Sequence, residues 1–152
     1  MSLDDALERL LGAVQPLGQL ESVSTFEALG RVLAADVRSL LDVPPADNTS
    51  MDGYAMRAAD VPAAGTVLPV SQRVPAGVVG APLQPGTAAR IFTGAQIPLG
   101  ADAVVMQEFC SAQPAAGEGG SANGLGAVAI NQVPTAGQWI RCRGEDVQRG
   151  AV

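Results

Sequence analysis

Three short polar clusters hold most of the groups with which this chain of 152 residues can do chemistry. The first, Asp47-Asn48-Thr49-Ser50-Met51-Asp52-Gly53-Tyr54, gathers two carboxylates, a carboxamide and two hydroxyls. It supports two readings. One is turn chemistry, in which Asn and Asp bond their own backbone and Gly53 supplies an unusual dihedral. The other is a polar rim that orients a ligand. In the second cluster, Thr93-Gly94-Ala95 follows a run, Arg90-Ile91-Phe92, that reads as a strand. A hydroxyl and successive backbone N–H groups there can face an anion as a nest does. The third, Arg141-Cys142-Arg143-Gly144-Glu145-Asp146, sets two arginines at alternate positions, which puts them on one face if the segment is extended. Guanidinium forks grip phosphate or carboxylate in bidentate fashion. Ion pairing with the two acidic residues that follow is the competing reading.

The missing residue types narrow the chemistry further. The chain has no histidine, and its nine basic residues are all arginine. Histidine-based triads and imidazole metal sites are excluded, as are Schiff-base lysines and the Walker phosphate loop. Carboxylates, hydroxyls, arginines and backbone amides remain. A nest built here needs arginine or a metal to help it. The thiol of Cys142 lies between two arginines, but no histidine base and no second thiol accompany it. Cys110 ends an apolar run and reads as a small core residue.

Bulk properties agree. A net charge of −6 without a basic cluster argues against nucleic acid as a partner. No apolar run approaches the ~18 residues of a membrane helix, and the N-terminus lacks signal-peptide character. Two cysteines make no disulfide framework. A reduced, cytoplasmic setting is expected.

These clusters need elements to position them. Ser2-Leu3-Asp4-Asp5 forms a capping box, and Leu3, Leu7, Leu10, Leu11 and Val14 follow as one apolar stripe of a helix closed by Pro16 and Gly18. Ser24-Thr25-Phe26-Glu27 opens a second expected helix through about residue 34, with Phe26, Leu29, Val32 and Leu33 as core candidates. After Leu41 the texture changes to Val/Ile-rich runs between Gly/Pro turns. Strands are expected at 53–57, 66–74, 88–92, 103–109, 127–131 and 138–143, building a small barrel or sandwich. The Gly-, Ala- and Ser-rich segment 113–126 reads as an exposed hairpin loop.

Taken together, the clusters resemble the signature of the MoeA family, the molybdopterin molybdenumtransferases. Residues 47–55 are similar to its first block, 91–108 to its second and 141–146 to its third, in the same order. The chain departs from a common form of the third block at Cys142, where a basic residue often stands. The likeness runs over essentially the whole chain and implies an α+β fold: N-terminal helices with an inserted β-rich domain. Residues 1–43 and 138–152 would form part of the first, elongated domain, and 44–137 the inserted one. It implies the front of a longer enzyme whose absent α/β domain holds most of the pterin and nucleotide site.

The activity implied is insertion of molybdate into adenylylated molybdopterin with magnesium, in a homodimer. By motif match, Asp52, Thr93 and Asp146 are the expected catalytic positions, and Asn48, Ser50, Gly94 and Arg141 the expected substrate contacts. No metal ligand is assigned. Two other readings compete: a free-standing scaffold that binds a partner, and a generic β module for a small sugar or anion. Scarce aromatics (3%) disfavour a sugar-stacking platform.

Overall fold

The computed structural model describes residues 1–16, 18–114 and 124–152, in two compact units, Met1–Val37 and Arg38–Val152. In the first unit, helix α1 (Leu3–Gly12) begins where the sequence puts it. The Ser2 hydroxyl accepts from the Asp5 amide at 3.1 Å, and the Asp5 carboxylate accepts from the Ser2 amide at 2.8 Å. Asp4 and Asp5 in the first turn and Arg9 in the last suit the helix dipole. No α1 residue is buried, and its leucine stripe faces outward.

The second helix is not realised. Only a 3-10 turn forms, Thr25–Glu27, capped by the Ser24 hydroxyl. Gly30 adopts φ +83°, a left-handed conformation that interrupts a right-handed helix. Phe26 and Leu29 are each 98% exposed, and Val32 and Leu33 are also exposed, so none is core. The apolar spacing is real, but a unit this small has nothing to bury it against. Arg31 pairs with Glu21 within the same unit.

The second unit is built on β-structure. Strands β1 (Asn48–Thr49) and β8 (Ile140–Arg141) form an antiparallel pair, with Asn48 opposite Arg141 and Thr49 opposite Ile140. Six further strands make one curled, mixed sheet, a half-barrel: β2 (Gly53–Met56), β3 (Thr66–Val74), β4 (Ala88–Ile91), β5 (Ala103–Met106), β6 (Cys110–Gln113) and β7 (Ala127–Ile130). Their spatial order is β5-β2-β4-β3-β7-β6. All neighbours are antiparallel except β3 and β4, whose parallel register shifts between Val70 and Gln72. Strand β3 matches the expected 66–74, and the other expected strands are found shortened at one or both ends. The run 103–109 divides into β5 and a 3-10 turn, Gln107–Phe109. Strand β6 has no counterpart among the expectations, and most of the hairpin loop expected at 113–126 lies outside the described residues.

Buried side chains of the sheet fall into two clusters. One carries Tyr54, Met56, Leu68, Val70, Val105, Val128 and Ile130; the other carries Ala55, Val74, Leu83, Ala89, Ile91 and Val104. Strand β2 is therefore buried at all four positions, and its side chains alternate between the two clusters. Small and β-branched residues fill this core, as the few aromatics require. Among the described residues, no helix is long and apolar enough to cross a membrane.

Candidate functional site

Asp52 sits at the entrance to β2, and the residues before it explain why. Thr49 is fully buried, and its hydroxyl accepts from the Met51 amide at 3.1 Å while donating to the Met51 carbonyl at 2.8 Å. This closes the chain into a tight turn. Gly53 follows with the backbone of β5 against it: a Cβ there would lie 2.0 Å from the Val105 carbonyl oxygen. The opposition of Gly53 to Ile91 carries Asp52 alongside the residues that leave β4. There Asp52 Oδ1 accepts from the Thr93 amide at 2.8 Å and from the Thr93 hydroxyl at 2.7 Å. Those two bonds, the hydroxyl's foremost, hold the Asp52 carboxyl below its usual value against a smaller desolvation effect, and the Arg90 guanidinium adds to the lowering. Asp52 is therefore an ionised acceptor at neutral pH. It can orient a donor or a metal-bound water, but it cannot supply a proton.

The anion nest expected at Thr93-Gly94-Ala95 is not formed. Gly94 does take the left-handed conformation, φ +80°. All three amides are spent within the fold, however: Thr93 on Asp52, Gly94 on the Thr49 carbonyl at 2.8 Å, and Ala95 on the Phe92 carbonyl at 2.8 Å. The Thr49 amide returns a bond to the Ala95 carbonyl at 3.0 Å. The segment is a lock between β1 and the end of β4, and no free row of amides faces solvent.

Asn48 and Gly94 instead border a cavity of about 240 Å³, shared with Ala46, Val78, Val79 and Gln96. The Asn48 carboxamide makes a long bond to the Ala46 carbonyl, 3.4 Å. Ser50 donates its amide (3.2 Å) and its hydroxyl (3.4 Å) to the Trp139 carbonyl, tying the turn to the segment before β8.

Arg141 and Asp146 form a separate group. The Arg141 guanidinium reaches Asp146 at 2.6 Å and Glu145 at 3.4 Å, so ion pairing within the cluster is what the third motif adopts. Those bonds, the one to Asp146 foremost, raise the Arg141 pKa. The two arginines do not share a strand face. Strand β8 stops at Arg141, and the Cys142 amide bonds the Glu145 carboxylate at 3.0 Å, which turns the chain. Arg143 then pairs with Asp42 at 2.6 Å. Asp42 is held ionised by the Arg149 amide and, after it, by the Arg143 side chain. Thus Asp52, Thr93 and Gly94 meet in one place and Arg141 and Asp146 in another, with no hydrogen bond or ion pair between the two groups among the described residues.

The sequence reading gives no site role to Arg90, Phe92 or Arg73, which stack together next to Thr93. The Arg90 guanidinium donates to the Gly53 carbonyl at 2.9 Å and to the Gln107 side chain at 2.7 Å, and lies 4.6 Å from the centre of the Phe92 ring. Arg73 lies 4.8 Å from the same ring. The alternation of Arg90 and Phe92 is visible in the chain. The arrival of Arg73 depends on the parallel register that sets it opposite Arg90. Neither cysteine joins the site: Cys110 packs half-buried against the core, where desolvation pushes its thiol up to about 11, and Cys142 is exposed. Among the described residues, no group of three or more His, Cys, Asp or Glu is gathered as metal ligands. These residues alone do not fit a self-contained metal centre.

The family model for the MoeA N-terminal region, its domains I and II, matches residues 1–152. The chain belongs to the MoeA family. A molybdopterin molybdenumtransferase of Haemophilus influenzae is 35% identical over 156 residues, covering 100% of this chain and 35% of that protein. Molybdopterin molybdenumtransferase 2 of Mycobacterium tuberculosis is 43% identical over 134 residues, covering 85% of this chain and 30% of that protein. The crystal structure of a molybdopterin biosynthesis MoeA protein from Pyrococcus horikoshii OT3 superposes with a TM-score of 0.79 at 37% identity, over 98% of this chain and 38% of that one. The chain thus spans about a third of the length of the curated relatives it matches. Its α+β architecture, one helix with a curled mixed sheet, is that of MoeA N-terminal domains.

Proposed function

We propose that this chain serves molybdenum insertion into molybdopterin, as the part of a molybdopterin molybdenumtransferase that completes the substrate cleft and is inactive alone. The observation that carries the reading is the Asp52–Thr93 clamp. Both bonds go to Oδ1, while Oδ2 accepts from no described residue. A fixed, ionised acceptor with one oxygen free can hold a donor or a hydrated cation in place without reorganising during a reaction. In this reading Asp52 and Thr93 position the reacting groups of adenylylated molybdopterin and molybdate, and Asn48, Ser50 and Gly94 contact substrate. Asp146 and Arg141 act as a second polar group, with Arg141 reaching an anion only once its own carboxylates release it. Magnesium enters as an ion centred outside these residues, and no step is assigned to it.

The exposed apolar residues of α1 and of the segment after it are the surface this reading gives to a second subunit of a homodimer, in a cytoplasmic enzyme. A free-standing partner-binding scaffold is the competing reading, and that same surface favours it. The deciding measurement is molybdenum insertion by an enzyme that contains this sequence together with the remainder of a MoeA-type chain. Asp52→Ala and Asp146→Ala are each expected to lower the rate by about 10²-fold or more, the scale seen when one preorganised polar contact is lost. Insertion within twofold of wild type in both variants would overturn the site assignment and favour the scaffold.

A further inference from the structure

We propose that Arg73 and Arg90 form a binding site for a tetrahedral oxyanion on the central β3–β4 pair of the half-barrel. The two residues oppose one another across the parallel β3–β4 pair, and Phe92 lies two residues beyond Arg90. Side chains on one strand alternate faces, so Arg73, Arg90 and Phe92 share a face. Their guanidinium carbons lie 4.8 and 4.6 Å from one ring centre. The two charges therefore sit no farther apart than the sum of those distances, comparable to the Debye length of ~8–10 Å at 0.1–0.15 M salt.

What distinguishes these arginines is how their donors are used. Elsewhere in the second unit, Arg57, Arg141 and Arg143 each pair with a carboxylate, Arg38 donates to the Gly150 carbonyl, and Arg149 stacks on no described ring. Arg73 makes no hydrogen bond or ion pair with any described residue, and the Phe92 contact is what fixes it. Arg90 spends two donors, on the Gly53 carbonyl and the Gln107 side chain. A guanidinium carries five N–H donors in its plane, and stacking uses its face. Arg73 thus keeps its whole donor edge while the ring holds the side chain in place. That lowers the entropy lost on capturing an anion.

The charges that oppose binding are Asp52, whose carboxyl feels Arg90, and Glu108, whose carboxylate lies 3.4 Å from the Gln107 amide nitrogen beside Arg90. Thr93 already holds one of the Asp52 oxygens and Glu108 reaches the Gln107 amide rather than a guanidinium, so the donor edge of Arg73 stays open at this patch. Phosphate, molybdate and the phosphoryl group of a nucleotide share the tetrahedral oxyanion chemistry that fits this patch. The site does not rest on the molybdenum-transfer reading, because it is measured by binding to this chain without turnover.

The test is equilibrium binding of inorganic phosphate, molybdate and adenosine monophosphate to this chain, each at low and at physiological salt. At least one of the three is expected to bind, more weakly at higher salt. The one that binds tightest tells a free oxyanion from a nucleotide phosphoryl group. Arg73→Gln is expected to weaken that binding at least tenfold. Arg73→Lys, which keeps charge but loses the fork, is expected to fall between the two. Arg57→Gln removes the same charge elsewhere and is expected to bind within twofold of wild type. Circular dichroism of Arg73→Gln checks that the sheet is intact; the substituted side chain is exposed. No binding of any of the three, unchanged binding in Arg73→Gln, or an equal loss in Arg57→Gln would overturn the proposal.

Discussion

Thr93 gives both its amide and its hydroxyl to a single oxygen of Asp52, at 2.8 and 2.7 Å, across 41 residues of sequence. The contact joins two of the three motif blocks through one carboxylate and leaves the other oxygen of that carboxylate open. Two flanking features hold it: the buried Thr49 hydroxyl, which shapes the turn before Asp52, and the Gly94 amide, which bonds back to the Thr49 carbonyl. The site is therefore only as firm as these backbone contacts.

The first prediction concerns acid. Because folding lowers the Asp52 carboxyl, its contribution to stability is present above the ordinary carboxyl pKa of about 3.9 and is lost as pH falls through the folded value. Thr93→Val removes the larger of the two lowering bonds, so the Asp52 titration moves up toward its ordinary value. Carboxyl NMR titration measures the shift directly. The variant is expected to be less stable than wild type at neutral pH, with the difference closing in acid once Asp52 is protonated in both. An unmoved Asp52 titration would show that the hydroxyl bond is not formed in solution.

The second concerns backbone approach. Gly53→Ala is expected to destabilise the fold by about 3 kcal/mol or more, since its Cβ would meet a strand carbonyl that cannot move without breaking the β2–β5 ladder. Gly137→Ala meets open space, and its φ of +82° limits the cost to about 1–2 kcal/mol. Urea unfolding of both variants gives the comparison. Equal losses would mean that the sheet yields at β5.

The third separates the two units. Ile91 is fully buried, and Ile91→Ala is expected to cost about 2–5 kcal/mol. Leu10 is 69% exposed, and Leu10→Ala is expected to change monomer stability by no more than about 0.5 kcal/mol. If the α1 stripe pairs with a second chain, Leu10→Ser with Leu11→Ser weakens association in sedimentation at unchanged monomer stability. A sedimentation profile identical to wild type would remove α1 from the interface.

Strand β3 and the α1 cap are legible in the sequence because their cause is local. A Val-rich run over 66–74 between Gly65 and Pro75 and a Ser–Asp capping box are both set by neighbouring residues. The false helix after Thr25 shows the limit of apolar spacing: Leu29, Val32 and Leu33 keep helical intervals, yet Gly30 takes a left-handed φ and nothing covers them. Strand β6 is illegible for the opposite reason. Cys-Ser-Ala-Gln carries almost no strand propensity and exists because β7 offers it a register, Cys110 opposite Ile130.

The candidate site divides the same way. The likeness of the three blocks to the MoeA signature singled out Asp52, Thr93, Arg141 and Asp146, and the missing residue types excluded chemistry on this chain's own histidine or lysine. Tertiary structure alone decided which of their donors and acceptors stay free. The Thr93-Gly94-Ala95 amides are consumed by Asp52, Thr49 and Phe92, Arg141 is taken by its own neighbours, and Arg73 is left with an open edge beside Arg90. The physical reason is that a side chain's type travels with the chain, whereas its hydrogen-bond partner is whatever the fold brings within about 3 Å.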